Sequence, residues 1–93
     1  MSENTEDIYD SLRKKLDETI RWPEVFLFKF IIKADNQKIA LLESLFTESA
    51  EISHLQSSTG KYISISVKEV MTSTNEVIEI YKKATAIEGV ITL

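Results

Sequence analysis

The chain contains very few side chains that could carry out chemistry. His54 is its only histidine and it has no cysteine. A zinc site needs several nitrogen or sulfur ligands, and a serine nucleophile needs a base within hydrogen-bond reach and a third group to orient that base. The chain offers a single histidine as a general base for the candidate nucleophiles Ser57, Ser58 and Ser64. We therefore expect no enzyme activity, no metal site and no cofactor.

The segment Ser58-Thr59-Gly60-Lys61 has a superficial likeness to the end of a phosphate-binding loop. The first glycine of such a loop is missing, because Leu55 occupies that position, and Tyr62 stands where a serine or threonine is required. A strand pattern follows instead of a helix. The segment is typical of a hairpin turn, in which Gly60 takes a positive φ.

Composition indicates one small domain. The 93 residues are 43% hydrophobic and 28% charged, with a net charge of −4, which disfavours broad electrostatic binding to nucleic acid. The longest apolar run, residues 25–32, is interrupted by Lys29 and is shorter than the roughly 20 residues of a membrane helix. The acidic start of the chain is unlike a signal peptide, so we expect a cytoplasmic protein with no membrane partner.

A regular apolar stripe predicts a helix over residues 7–20. Its members recur every four positions and are Ile8, Leu12, Leu16 and Ile20. Pro23 disfavours helical geometry at Trp22, so the chain should turn there and continue extended. We expect an N-terminal helical extension over residues 1–21 and a separate domain over residues 22–93.

Two further segments alternate as strands do. Residues 25–33 place three phenylalanines on one face, and Leu27, Lys29 and Ile31 on the other. Residues 61–70 place Ile63, Ile65 and Val67 on one face, and Tyr62, Ser64, Ser66 and Lys68 on the other. Weaker patterns predict strands over residues 51–56 and 90–93.

Two more helices lie between these strands. The first begins at Asp35 or Asn36 and is expected to run to about Phe46. The second follows a capping-box pattern, in which the Ser73 hydroxyl and the Glu76 carboxylate should each bind the other's backbone N–H. The inner stripe expected for that helix is Val77, Ile80, Tyr81 and Ala84.

After the first helix, the order β-α-β-β-α-β predicts an α+β fold of ferredoxin-like plan. Two interleaved β-α-β units give a four-stranded antiparallel sheet, in the order 4-1-3-2, with two helices on one face. The N-terminal helix is additional. Since those two helices cover the phenylalanine face, we expect the N-terminal helix to pack on or beside the open face, in its own chain or across a dimer.

Three segments resemble the YbeD-like bacterial domain of unknown function. They are residues 22–29 (Trp-Pro-x-x-Phe-x-Phe-Lys), residues 57–64 (Ser-Ser-x-Gly-x-Tyr-x-Ser) and Gly89-Val90 ahead of Leu93. The resemblance covers roughly residues 22–93. It implies a ferredoxin-like fold similar to the regulatory ACT domains that bind amino acids, and it implies no established activity. That family tends to have glycine after the first strand, where this chain has Lys33-Ala34-Asp35.

We interpret the chain as a non-enzymatic binding or regulatory module that acts through protein–protein contacts, with a homodimer as one form of partner. The surface expected to make those contacts comprises Leu27, Lys29, Ile31, Ser57, Ser58, Lys61, Tyr62 and Ser64. Two alternatives stay open. One is an ACT-like sensor of a small molecule such as an amino acid, and the other is RNA binding through the open sheet face, where lysines and Tyr62 would lie together.

Overall fold

The computed structural model describes the backbone of residues 3–93 and the side chains of residues 8–93. The fold is α+β. Its elements, in chain order, are α1 (Glu3–Thr19), β1 (Glu24–Lys33), α2 (Asn36–Glu43), β2 (Glu51–Gln56), β3 (Tyr62–Met71), α3 (Thr74–Thr85) and β4 (Ile91–Thr92).

The four strands form one antiparallel sheet in the order β2-β3-β1-β4. A strand order has no direction, so the same sheet counted from its β4 edge reads 4-1-3-2. The central pair, β1 and β3, is in register over its whole length, from Glu24 opposite Met71 to Lys33 opposite Tyr62. The chain passes between strands through α2 and α3, whose buried side chains belong to the same core as the phenylalanine face of β1.

Burial alternates along β1 because its successive side chains point to opposite sides of the sheet. Phe28, Phe30 and Ile32 are fully buried, whereas Val25 and Leu27 are about half exposed. The Phe28 ring centroid lies 4.8 Å from that of Phe26. It also lies 5.3 Å from that of Phe46 and 5.4 Å from that of Tyr81, so this ring joins β1 to α3 and to the segment after α2.

Helix α2 ends earlier than its apolar pattern suggested. Asp35 caps it as expected, because its Oδ1 accepts hydrogen bonds from the backbone N–H groups of Gln37 and Lys38. The helix stops at Glu43 rather than near Phe46. The next backbone bonds, from Leu45 N–H to the Leu42 carbonyl and from Phe46 N–H to the Glu43 carbonyl, span three residues, so the chain tightens out of the α-helix.

At the start of α3 only half of the predicted capping box forms. The Ser73 hydroxyl accepts a hydrogen bond from the Glu76 N–H at 3.1 Å. The Glu76 carboxylate does not return the bond to the Ser73 N–H. It binds the backbone N–H and the hydroxyl of Thr72, at 3.2 and 2.8 Å, so it fixes the residue before the cap instead.

Helix α1 does not pack on the open face of the sheet, and that expectation was wrong. It lies against α3 and completes the helical layer, with Leu16 buried in the common core. Three members of the predicted stripe, Leu12, Leu16 and Ile20, lie in or against the core. Only its first member differs, because Ile8 is 66% exposed whereas Tyr9 packs against the core.

A polar network at the start of α3 holds α1 in this position. The Thr74 hydroxyl donates to Asp17 Oδ1 at 2.6 Å and accepts from the Trp22 indole N–H at 2.9 Å. Arg13 donates to Asn75 Oδ1 at 3.0 Å. Because Thr74 is buried and both of its hydrogen-bonding roles are filled, the short connection at Trp22 directs α1 towards α3.

The position of α1 also explains why Ile78 is buried, which the sequence pattern did not predict. Thr74, Ile78, Tyr81 and Thr85 recur at helical spacing along one side of α3. Thr74 and Thr85 contact Asp17 and Tyr9 of α1, and Ile78 is fully buried. Helix α3 is therefore covered on two sides, by the sheet and by α1.

Replacing Phe28 should destabilise the domain strongly. We expect Phe28→Ala to lower the free energy of unfolding by about 3–5 kcal/mol, because it removes a fully buried ring and leaves a cavity. The adjacent substitution Leu27→Ala, on the opposite face of the same strand, should cost less than about 1 kcal/mol. Urea unfolding followed by circular dichroism measures both values, and equal losses would contradict the assignment of the two faces.

Candidate functional site

The side of the sheet away from the helices, here called the open face, is covered by no element of residues 3–93. The register of the strands fixes which side chains share this face, because directly opposed residues lie on the same side. The first row across the sheet is Ile91, Ile31, Ser64 and Leu55. The rows beside it are Lys29, Ser66 and Ser53; Leu27, Lys68 and Glu51; Val25 and Val70; and Lys33 and Tyr62.

Apolar side chains are exposed in several of these rows. Leu27 is 48% exposed and Leu55 is 73% exposed, and Val25, Val70 and Ile91 lie between these values. They alternate with the polar row of Lys29, Ser66 and Ser53, so the face is amphipathic rather than a continuous oily patch. This layout is the one that the alternation along β1 and β3 predicts for the side of each strand that points away from the core.

The charge of the open face is opposite in sign to that of the whole chain. The face carries Lys29, Lys33 and Lys68 against a single carboxylate, Glu51, although the chain has a net charge of −4. Among the side chains of residues 8–93, no carboxylate lies within 4.0 Å of the ammonium group of any of these lysines. The face therefore presents cations that have no ion-pair partner within the described side chains.

The structure separates the predicted contact surface into two groups. Leu27, Lys29, Ile31, Tyr62 and Ser64 lie together on the open face. Ser57, Ser58 and Lys61 lie in the turn between β2 and β3, at one end of the sheet.

The turn uses the Ser57 hydroxyl for its own structure. Gly60 has a φ of 74° and its N–H donates to the Ser57 carbonyl at 2.9 Å, while the Ser57 hydroxyl accepts from the Tyr62 N–H at 3.2 Å. Beside the turn, a shallow hollow of about 500 Å³ is lined by Lys33, Ala34, Asp35, Gly60, Lys61 and Tyr62. Lys33 and Lys61 bring two positive charges to this hollow and Asp35 brings one negative charge, so it could hold a small anionic or zwitterionic molecule.

His54 lies on the edge strand β2 and contacts one carboxylate. Its Nε2 is 2.6 Å from Glu43 Oε2 at the end of α2, and both side chains are partly exposed. The pair connects the helical layer to the sheet edge. No group of three or more His, Cys, Asp or Glu side chains that could hold a metal ion occurs in the described region.

Glu69 is a buried carboxylate that the sequence pattern did not identify. It lies on the core side of β3 and is only 7% exposed. Its Oε1 accepts from the Thr47 N–H at 3.4 Å, and its Oε2 accepts from the Thr47 and Ser49 hydroxyls. These bonds attach the loop between α2 and β2 to β3, at the wall of a cleft of about 690 Å³ that also has Glu76, Glu79 and Lys83 in its lining. The sequence did contain a signal for its burial. Glu69 continues the every-second-residue series of Ile65 and Val67, which lies on the core side of β3.

Removing the negative charge of Glu69 should weaken the domain. We expect Glu69→Gln to reduce the free energy of unfolding by about 1–3 kcal/mol, because an amide supplies only one acceptor atom to three donors. Glu79→Gln, an exposed change in the lining of the same cleft, is the control and should cost little. Chemical denaturation at neutral pH measures both free energies of unfolding. No loss of stability in Glu69→Gln would show that the loop does not depend on this carboxylate.

Comparison with known proteins places the chain in an uncharacterised group. Residues 17–93 match the model of a family described as "Protein of unknown function (DUF493)". No curated protein and no solved structure matches the chain. The match agrees with the expectation of a family without an assigned activity, while the YbeD-like name remains a resemblance of the sequence alone. None of the described helices combines the length and the apolar character needed to cross a membrane.

Proposed function

The chain belongs to the DUF493 family of proteins of unknown function, and we propose that it is a non-enzymatic module that binds a partner protein through the open face of its sheet. The observation that carries this proposal is that no element of residues 3–93 covers the rows of side chains on that face. Exposed aliphatic residues on the central strands β1 and β3, in rows that alternate with polar residues, give an accessible amphipathic surface on which a partner protein could pack.

The charge of the face defines the partner's chemistry. Lys29, Lys33 and Lys68 outnumber the single Glu51, so two copies of this chain would bring lysine-rich faces together if they met face to face. A partner whose apolar contact surface is bordered by aspartate or glutamate complements the face better, because opposite charges speed encounter and favour the correct partner. The proposed occupant is therefore a different protein with an acidic rim.

We also propose that the fold is the ferredoxin-like one. The interleaved strand order, the two crossover helices and their shared core with the phenylalanine face support this assignment. Helix α1 is then an addition to the helical layer, which leaves the open face free for binding.

A photo-cross-linking residue placed at Leu27 tests the binding face in the native cell. Leu27 is about half exposed and lies on the open face of the central strand β1, away from the β2 edge. We expect adducts with a partner whose cross-linked peptide is acidic. The variant Lys29→Glu/Lys68→Glu should reduce those adducts at least about tenfold, since two favourable charge contacts become repulsive.

A matched charge reversal on another surface is the control. Lys14→Glu/Lys15→Glu changes the net charge by the same amount on an exposed part of α1 and should leave the adducts intact. Adducts that survive the reversal on the open face, or that disappear equally in the control, would contradict the proposal. So would equal adducts from a cross-linker at Glu79 on the helical side.

The hollow beside the turn supports a second candidate, a sensor of a small anionic or zwitterionic molecule. Lys33 and Lys61 would supply the cations and Gly60 would allow close approach to backbone. A thermal-shift screen with amino acids and common anionic metabolites tests it, since a ligand at 100 times its dissociation constant adds about 2.7 kcal/mol of stability. A ligand that stabilises the wild type but not Lys61→Ala would favour the sensor.

RNA binding has less support. Tyr62 is the single aromatic side chain that the strand register places on the open face, whereas sheet surfaces that bind single-stranded RNA stack bases on two or three aromatic residues. A salt-dependent gel shift with single-stranded RNA would be needed to revive this alternative.

A further inference from the structure

The strand β2 has one unpaired edge. It pairs with β3 on one side, and within residues 3–93 no strand lies beyond it. Successive residues of a strand direct their backbone groups to opposite sides, so half of the N–H and C=O groups of β2 must point away from the sheet.

The direction of those groups follows from one hydrogen bond. The Ser57 N–H donates to the Tyr62 carbonyl at 2.8 Å, so Ser57 points towards β3. By alternation Glu51, Ser53 and Leu55 also point towards β3. The backbone groups of Ile52, His54 and Gln56 then point outwards, in position to pair with another strand.

Nothing on β2 blocks such pairing. Natural edge strands are protected by proline, by bulges or by lysines directed at an incoming strand. Residues 51–56 contain no proline and no lysine, they pair with β3 without an interruption in register, and their single formal charge is at the first residue, Glu51.

We propose that β2 pairs antiparallel with β2 of a second copy of this chain, which joins the two sheets into one of eight strands. Face matching limits the register, because the open-face residues of one copy must oppose open-face residues of the other. A two-fold axis at His54 meets this condition and uses every outward backbone group. It sets His54 opposite His54 of the second copy, Ile52 opposite Gln56, and Ser53 opposite Leu55.

The charges at the two ends of β2 select a second copy in this orientation. Glu48 and Glu51 lie at the start of the strand, and Lys61 lies in the turn that follows its end. Antiparallel pairing brings the acidic end of each copy beside the lysine-bearing turn of the other, whereas parallel pairing would put acid beside acid. This interface uses the sheet edge and leaves the proposed binding face exposed, so the two proposals can fail independently.

The absence of cysteine from the chain allows a direct test by disulfide formation. At a two-fold axis on His54 the two Cα atoms would be about 5.5 Å apart, which is within the range of a disulfide. We expect the purified full-length variant His54→Cys to form a covalent dimer under mild oxidation. Thr92→Cys is the control, because Thr92 lies on β4 at the opposite edge. Its yield should be at least about tenfold lower.

Sedimentation velocity over a concentration series gives a second measurement that needs no cross-link. The wild type should show a reversible monomer–dimer equilibrium. His54→Pro should shift the midpoint to at least about tenfold higher concentration, since proline removes an outward N–H without removing a bond to β3. Thr92→Pro is the matched change at the other edge and should leave the midpoint unchanged, with circular dichroism to confirm folding of both. A wild type that remains monomeric, or equal disulfide yields at positions 54 and 92, would overturn the inference.

Discussion

The rings of Phe26, Phe28 and Phe30 lie on one side of β1, and most of the molecule is arranged around them. Phe28 contacts Phe46 from the segment after α2 and Tyr81 from α3, so the burial of this one side brings both crossover connections onto it. The opposite side of β1 carries Leu27, Lys29 and Ile31, and a lysine in mid-strand opposes complete burial there because an unpaired ammonium group is costly to desolvate. The asymmetry of a single strand therefore determines which face of the sheet is covered.

Those parts of the fold that depend on local patterns could be predicted from the sequence. The alternation of β1 and β3, the turn at Gly60 and the Asp35 cap follow from rules that involve a few neighbouring residues, and the structure contains all of them. The position of α1 could not be predicted in this way. Its apolar stripe must be buried, but the stripe does not specify which surface covers it. Packing on α3 depends on the hydrogen bonds of Thr74 with Asp17 and Trp22, and Thr74 is far from both of these residues in the chain.

A similar limit applies to the candidate site. The members of the open face follow from the period of two along β1 and β3, so Leu27, Lys29, Ile31, Tyr62 and Ser64 could be grouped before the structure was known. Leu55 and Ile91 join that face only through pairing with other strands, because residue 55 precedes the hairpin and β4 has just two residues. The same period of two places Glu69 on the core side of β3, but its partners Thr47 and Ser49 lie in a loop whose path no local pattern determines.

Partner binding through the sheet requires an open face that is accessible to solvent in the folded protein. Nuclear magnetic resonance of the full-length chain with a soluble paramagnetic probe measures this for individual methyl groups, at concentrations low enough to keep the chain monomeric. The methyl groups of Leu27 and Val70 should relax as strongly as those of Leu41, an exposed residue of α2, and much faster than those of the fully buried Val67. Protection of Leu27 and Val70 to the level of Val67 would mean that another part of the chain covers the face, and it would contradict the proposed role of the sheet in binding.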